Sequence, residues 1–362
     1  MDNFTGTRPV TAAQAFDIDR LHTWLSAALP GYAGPLTVEQ FKGGQSNPTF
    51  KLLTPGASYV MRSKPGPAVQ LLPSAHAVER EYRVMAALAE QGVPVPTMLA
   101  LCQDEGVIGR AFYIMSMVEG RVLWDQSLPG MGSAERGAIY DEMNRVIAAL
   151  HKVDVTAAGL ADFGKPGSYF ERQISRWSKQ YSASITQPIE EMDHLMAWLP
   201  AHMPASALDH SRVAVVHGDF RLDNLVFHPR EPRVLAVLDW ELSTLGHPLA
   251  DFAYHCMAWH IPPGAFRGIG GLDLATLGIP LEGDYVASYC RRTGFATPEA
   301  LAADWNFYLA YNLFRIAAIL QGIAKRVQDG TASSAHARNA ASGVRPLAQL
   351  GWQFASLSAT FS

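Results

Sequence analysis

The segment His217-Gly218-Asp219-Phe220-Arg221-Leu222-Asp223-Asn224, followed after short apolar pieces by Leu238-Asp239-Trp240, holds the residue types that phosphoryl transfer needs. That reaction asks for an acidic group to orient the acceptor hydroxyl. It also asks for metal ligands to hold a triphosphate, and for cations to offset charge on the moving group. Asp219 can accept the hydroxyl hydrogen bond. Asn224 and Asp239 are the hard oxygen ligands magnesium prefers, leaving its other positions to water and phosphate. Arg221, two residues beyond Asp219, is a cation of the kind that reaction needs. A lone His-Gly-Asp is as readily a turn, since aspartate in an apolar run often turns or caps the chain. Three oxygen-bearing residues on loops after short strands are harder to explain that way.

The elements that must position them change character near residue 74. Before it lie extended pieces at Leu36–Lys42, Thr49–Thr54 and Ser58–Arg62, separated by turn formers at Gly43-Gly44 and Pro55-Gly56, as in antiparallel hairpins. Ser74 reads as the N-cap of a helix running to Gln91, with Val78, Met85 and Leu88 on one stripe and Gly92 at its C-terminal end. Ala111–Val118 reads as a buried strand. Beyond Gly120 the periodicity is helical: Ile139, Met143, Val146, Ile147 and Leu150 recur on one face, and Phe170–Ser182 and Pro188–Trp198 follow. A short extended island, Val213–Val216, Leu225–Phe227 and Val234–Leu238, carries the chemical segment before the chain returns to helix.

This order predicts an α+β, bilobal architecture like that of protein kinases. A small antiparallel β-rich N-lobe with one helix spans residues 1–118, and a larger, mainly helical C-lobe spans 119–362. Hydrophobic residues at 48% and charged ones at 17% describe a folded globular protein. A net charge of -4 without long basic runs argues against a nucleic-acid partner. Cys102, Cys256 and Cys290 form neither a metal pattern nor a disulfide framework, and the first residues lack the apolar core of a signal peptide, so a cytoplasmic location is expected. The long apolar stretch Phe307–Ala324 is interrupted by Asn312, Arg315 and Gln321, which reads as a buried helix with no membrane span.

The interval from Asp219 to Asn224, with a later metal-binding aspartate, has the spacing of the protein-kinase catalytic loop. More closely, the chain resembles the aminoglycoside phosphotransferase and choline kinase-like superfamily, and within it the phosphotransferase domain associated with acyl-CoA dehydrogenases. The resemblance runs from about Phe41 to Ser334. Besides the catalytic segment it rests on Tyr59-Val60-Met61-Arg62, Glu79-Arg80-Glu81-Tyr82, Tyr169-Phe170-Glu171-Arg172-Gln173, Asp239-Trp240-Glu241 and Phe314–Gly322. It implies ATP and Mg2+, with a phosphate loop at Gly43-Gly44-Gln45-Ser46-Asn47, where glycines let the backbone approach anionic oxygens. The expected nucleotide-binding residues are Gly44, Ser46, Asn47, Arg62, Glu81, Met115 and Val118. Val60, Arg62 and Lys64 share a strand face, so alternation does not choose the cation; the family motif chooses Arg62. Glu81 shares the stripe of Val78, Met85 and Leu88, whereas Glu79 does not, which pairs Arg62 with Glu81. Asp251 matches a family aspartate that braces the catalytic loop. His217 reads as an anchor of that loop, and His151 as a cation at a helix C-terminus.

The acceptor is expected against the helical lobe, near Asp219 and Glu241 and the helices of Arg172, Arg176 and Arg315, since arginine can bind a carboxylate or phosphate bidentately. No clear acidic cluster suits a polycation. The expected activity is therefore ATP-dependent phosphorylation of an alcohol group on a small molecule, a hydroxy acid or hydroxyacyl-CoA, with a functional link to an acyl-CoA dehydrogenase. The alternatives are a nucleotide-binding pseudokinase or dehydrogenase partner protein, and an aminoglycoside phosphotransferase.

Overall fold

Alternating apolar residues build a six-stranded antiparallel sheet from the first part of the chain. The computed structural model describes residues 6–42, 47–66, 77–165, 167–264, 268–331 and 335–359. The strands are β1 (Thr7–Arg8), β2 (Thr37–Phe41), β3 (Thr49–Leu53), β4 (Ser58–Ser63), β5 (Met98–Cys102) and β6 (Phe112–Ser116), in the order β1-β2-β3-β4-β6-β5. Phe50 pairs with Met61, and Met61 with Ile114, so one face of the sheet presents a continuous apolar row. Onto that face packs α1 (Ile18–Ala28) through Leu21 and Leu25, both fully buried. The opposite face carries Val60, Arg62, Tyr113 and Met115, by the same period-2 alternation. The helix α2 (Val78–Ala89) buries Val78, Glu81, Val84, Met85 and Leu88. Gly92 beyond it adopts φ 74°, as expected of a helix-terminating glycine. The expected cap Ser74 lies outside the described residues.

The unit formed by this sheet extends to Val122 and also takes in Ala157–Phe163 and Asn224–Ser243. Its boundaries therefore differ from the single break at residue 118. The reason is local pairing: β7 (Arg121–Val122) runs antiparallel to the strand Leu225–Phe227, which pairs in turn with Val234–Val237. Gly120 makes this pairing possible, because a Cβ there would lie 2.2 Å from the Phe227 carbonyl oxygen. The unit also carries more than one helix. Besides α1, the short α3 (Glu105–Ile108) closes the apolar cluster through Ile108.

The second unit comprises Leu123–Thr156, Gly164–Asp223 and Thr244–Ser362. It is mainly helical, with helices at Ser133–His151, Tyr169–Ser184, Glu190–Ala201, Pro248–Cys256, Glu282–Thr293 and Pro298–Gln328, then Ala335–Ser342 and Val344–Ala359. A small ladder, Ala214–Val216 against Thr244–Gly246, leads directly into His217-Gly218-Asp219. Among the described residues, Pro298–Gln328 is the one helix long and apolar enough to cross a membrane, and 78% of its apolar window is buried inside the protein. Its apolar length therefore belongs to the core. The three cysteines are free and buried.

Candidate active site

In the sheet unit, Arg62 lies on β4 with its side chain almost wholly buried. Its Nε stands 2.9 Å from Glu81 Oε2, and its Nη2 donates to Asp239 Oδ1 at 2.7 Å and to Glu241 Oε2 at 3.3 Å. Lys64 instead meets Glu79 at 2.5 Å. Two residues on one strand face thus take two glutamates on one helix, in the pairing that the α2 stripe selects. Glu81 is 2% exposed and accepts two further bonds, from Asn47 Nδ2 at 2.7 Å and Tyr113 OH at 3.1 Å. Burial pushes the Glu81 carboxyl up, while Arg62, Asn47 and Tyr113 pull it back. Burial opposes the Arg62 charge, yet Glu81, Asp239 and Glu241 outweigh it and lift the guanidinium above its ordinary value.

One guanidinium therefore faces three carboxylates. Asn224 and Asp239 come together through the Leu225–Phe227 and Val234–Val237 hairpin: Leu225 pairs with Val237, and the Leu238 amide donates to the Asn224 carbonyl at 2.8 Å. Among the described residues no group of three His, Cys, Asp or Glu side chains could hold a metal. Two protein ligands suffice for magnesium, which keeps waters and takes substrate phosphates. Asp239 has φ 66°, a left-handed conformation unusual outside glycine.

Asn47, expected to face phosphate, directs its amide to Glu81, because a buried carboxylate must find donors. Met115 is buried on β6 on the Arg62 face, and Val118 is half-buried just beyond that strand. Gly44 and Ser46 lie outside the described residues. Glu241, expected at the acceptor, is bonded to Arg62 in this structure.

In the helical unit, Asp251 holds the catalytic segment by its backbone. Its two carboxylate oxygens accept from the His217 amide at 2.7 Å and the Gly218 amide at 2.8 Å. His151 Nε2 lies 3.2 Å from Asp251, and its Nδ1 meets Tyr289 OH at 2.7 Å. His151 does end the Ser133–His151 helix, as read from sequence, but it is buried and braces Asp251 rather than serving only the helix terminus. Burial pushes the Asp251 carboxyl up, but His151 and the loop amides more than offset it and hold the group below the usual range. His217 is fully buried, and its Nδ1 accepts from the Asp219 amide at 3.2 Å. Gly218 turns the segment at φ 82°, which a side chain would resist.

Asp219 Oδ1 accepts a short hydrogen bond from Tyr254 OH and lies 3.1 Å from Arg221 Nε. Arg221 Nη2 reaches Asp223 Oδ2 at 3.3 Å. Burial and the neighbouring Asp219 raise the Tyr254 pKa, so its hydroxyl remains a donor. Sequence reading missed Tyr254, although its place three residues after Asp251 puts it on the same helix face. Arg315 Nη2 donates to the Gly218 carbonyl at 3.0 Å, with the Tyr254 ring 5.4 Å and the Trp177 ring 6.0 Å from its guanidinium. Arg172 donates to the carbonyls of Lys165 and Gly167, which makes it a fastener of that loop. Arg176 is exposed and stacks over Trp177 at 5.0 Å. Of the three acceptor-side arginines, only Arg315 touches the catalytic segment.

The chain is similar in sequence and in fold to known phosphotransferases. Residues 37–302 match the model of the phosphotransferase enzyme family. The chain is 46% identical over 353 residues to mouse acyl-CoA dehydrogenase family member 10, covering 97% of this chain but 32% of that protein. It is 42% identical over 359 residues to rat acyl-CoA dehydrogenase family member 11, covering 98% of this chain but 45% of that protein, so the chain spans under half the length of these curated relatives. A solved structure of a candidate aminoglycoside phosphotransferase from Ralstonia eutropha JMP134 is 63% identical, with TM-score 0.86 over 94% of this chain and 99% of that one. Choline kinase from Cryptosporidium parvum shares the kinase-like fold at 12% identity, with TM-score 0.61 over 92% of this chain and 95% of that one.

Proposed function

Because the chain belongs to the phosphotransferase enzyme family, we propose that it transfers the γ-phosphoryl group of ATP to a hydroxyl of a small molecule. The observation that carries this reading is the state of Asp219: Asp251 braces its loop, and Tyr254 and Arg221 fix its carboxylate. Tyr254, 35 positions away, is a donor from outside that turn, which an aspartate with a merely local structural task would not need. In the reaction the acceptor oxygen forms a bond to the γ-phosphorus, the bond to ADP breaks, and Asp219 orients the hydroxyl and takes its proton. Arg221 stands beside it as a cation for the transferred group. Arg62, fixed by Glu81, serves the nucleotide phosphates, with Met115 and Val118 beside the base. Asn224 and Asp239 would hold Mg2+, which when bound neutralises charge on the triphosphate.

The acceptor class that fits best is a hydroxy acid or a hydroxyacyl-CoA thioester. Relatives named as acyl-CoA dehydrogenase family members support a functional link to such an enzyme, and Arg315 supports an acidic acceptor. Three buried free thiols suit the reducing cytoplasm. The test measures magnesium-dependent ATP binding, then ADP release with kanamycin-type compounds, choline, hydroxy acids and hydroxyacyl-CoA species side by side. Stimulation by the acids or thioesters is expected. Efficient turnover of an aminoglycoside with every acid inert would overturn the acceptor class. Tight magnesium-ATP binding with no turnover of any acceptor would favour a nucleotide-binding partner of the dehydrogenase.

A further inference from the structure

Three polar residues interrupt the buried face of the Pro298–Gln328 helix, and two of them are neutral amides whose nitrogens each donate two hydrogen bonds. Asn312 Nδ2 donates to the carbonyls of Ala250 and Tyr308, each at 3.0 Å. Gln321 Nε2 donates to the Ser184 carbonyl at 2.7 Å and to Thr186 Oγ1 at 3.0 Å. Arg315 is different. Its side chain is 9% exposed, it makes one hydrogen bond, to the Gly218 carbonyl, and it has no ion-pair partner among the described residues.

A guanidinium stays charged under all ordinary conditions, and its removal from water is strongly unfavourable unless a counter-charge compensates. The faces of Tyr254 and Trp177 return part of that cost. A carbonyl and two rings still do not match a cation with five donors in a planar fork. Asp219, one peptide bond beyond Gly218, favours the Arg315 charge from a distance, but its carboxylate already takes Tyr254 and Arg221. Arg172 and Arg176 offer no such imbalance, since the first serves loop carbonyls and the second faces water.

We propose that Arg315 reads an oxyanion on the acceptor, a carboxylate or a phosphate, and so selects acidic hydroxylated substrates at Asp219. The naming of that ligand as the acceptor rests on the phosphotransferase reading; the presence of an anion subsite does not. The Tyr254 and Trp177 rings flank the guanidinium, whose planar fork favours bidentate capture of paired oxygens. The Gly218 contact places the subsite beside the group that orients the hydroxyl.

The experiment is ligand-observed NMR titration without nucleotide, using 3-hydroxybutyrate, 3-hydroxybutyramide and 3-hydroxybutyryl-CoA against wild type, Arg315→Gln and Arg315→Lys. Wild type should bind the acid or the thioester about tenfold or more tightly than the neutral amide, as a charge-assisted fork predicts. Arg315→Gln should erase that preference, while Arg315→Lys, which keeps the charge and loses the fork, should retain part of it. Loss confined to the acid assigns a carboxylate, and loss confined to the thioester assigns a phosphate. Equal weakening of amide and anions in both variants would mean that Arg315 only supports the loop, and the proposal falls. Unchanged anion affinity in Arg315→Gln, or no anion preference in wild type, overturns it as well. If the preference holds while no acceptor stimulates ADP release, the phosphotransferase reading fails and the anion subsite stands.

Discussion

Replacing Arg62 with methionine should destabilise the sheet unit by an amount that depends on pH in a calculable way. The substitution keeps the aliphatic stem and removes the cation that Glu81 faces at 2.9 Å. Breaking a buried pair by removing one partner typically costs about 3–5 kcal/mol, because a charge is left without compensation. Here two features limit the loss. Asn47 and Tyr113 still donate to Glu81, and the carboxyl can escape by taking up a proton. That escape costs the distance from an ordinary glutamate pKa of about 4.3 to the working pH, at about 1.36 kcal/mol per unit. The ceiling is therefore about 3.7 kcal/mol at pH 7 and about 1.6 kcal/mol at pH 5.5. The sign follows from proton binding. Burial already raises Glu81, and without Arg62 the folded state holds a proton that the unfolded chain has released. Stability of the variant then falls as pH rises through that interval. Urea unfolding of wild type and variant at both pH values gives the difference directly. Adding Glu81→Gln to Arg62→Met should restore much of the loss at pH 7, since the neutral amide needs no counter-ion. A deficit that is the same at both pH values, or a double variant no better than the single one, would refute this account of the Arg62–Glu81 pair.

Three further outcomes follow from the site. Asp219→Ala should lower kcat by about 10²- to 10⁴-fold while magnesium-ATP affinity stays nearly constant, read by steady-state kinetics and calorimetry; an unchanged kcat with a true acceptor contradicts the role. Asp239→Ala should weaken magnesium-ATP far more than metal-free ATP, and equal losses in paired titrations would remove Asp239 from the metal site. Tyr254→Phe keeps the ring beside Arg315 and deletes the donor to Asp219, so kcat should fall about tenfold with little change in ATP affinity. A KM effect without a kcat effect would show that the hydroxyl does not position Asp219.

The strands that carry Arg62 were legible because alternation and glycine or proline turns mark them: Thr37–Phe41, Thr49–Leu53 and Ser58–Ser63 lie within a residue of the segments read from sequence. The helix Ile18–Ala28 was not, since only two of its residues, Leu21 and Leu25, are buried. The strand Thr244–Gly246 is three residues long, too short for any period to register. Asp219, Asn224 and Asp239 could be singled out as candidates because phosphoryl chemistry restricts residue types and spacing. The partners of those residues could not. Asn47 and Glu81 are 34 positions apart, and Arg62 and Asp239 are 177 apart. No local pattern encodes such a pairing; the sheet register and the α2 stripe create it.

Asp239 joins what the sequence states to what only the fold supplies. Its left-handed backbone, at φ 66°, costs an aspartate about 1–2 kcal/mol relative to the ordinary conformation. Glycine would remove that cost, yet the position carries a carboxylate bonded to Arg62 at 2.7 Å. Strain of this kind persists where the surroundings over-determine it, which points from the outlier toward a task for the side chain. The Asn224 carbonyl, bonded to the Leu238 amide, fixes the chain just before the turn. Arg62 then fixes the carboxylate itself, and Glu81 fixes Arg62. Each link orients the next, so the oxygen proposed to meet magnesium is aimed before the ion arrives. A glycine at 239 would relax the turn and leave Arg62 with two carboxylates, with no ligand at the end of that chain.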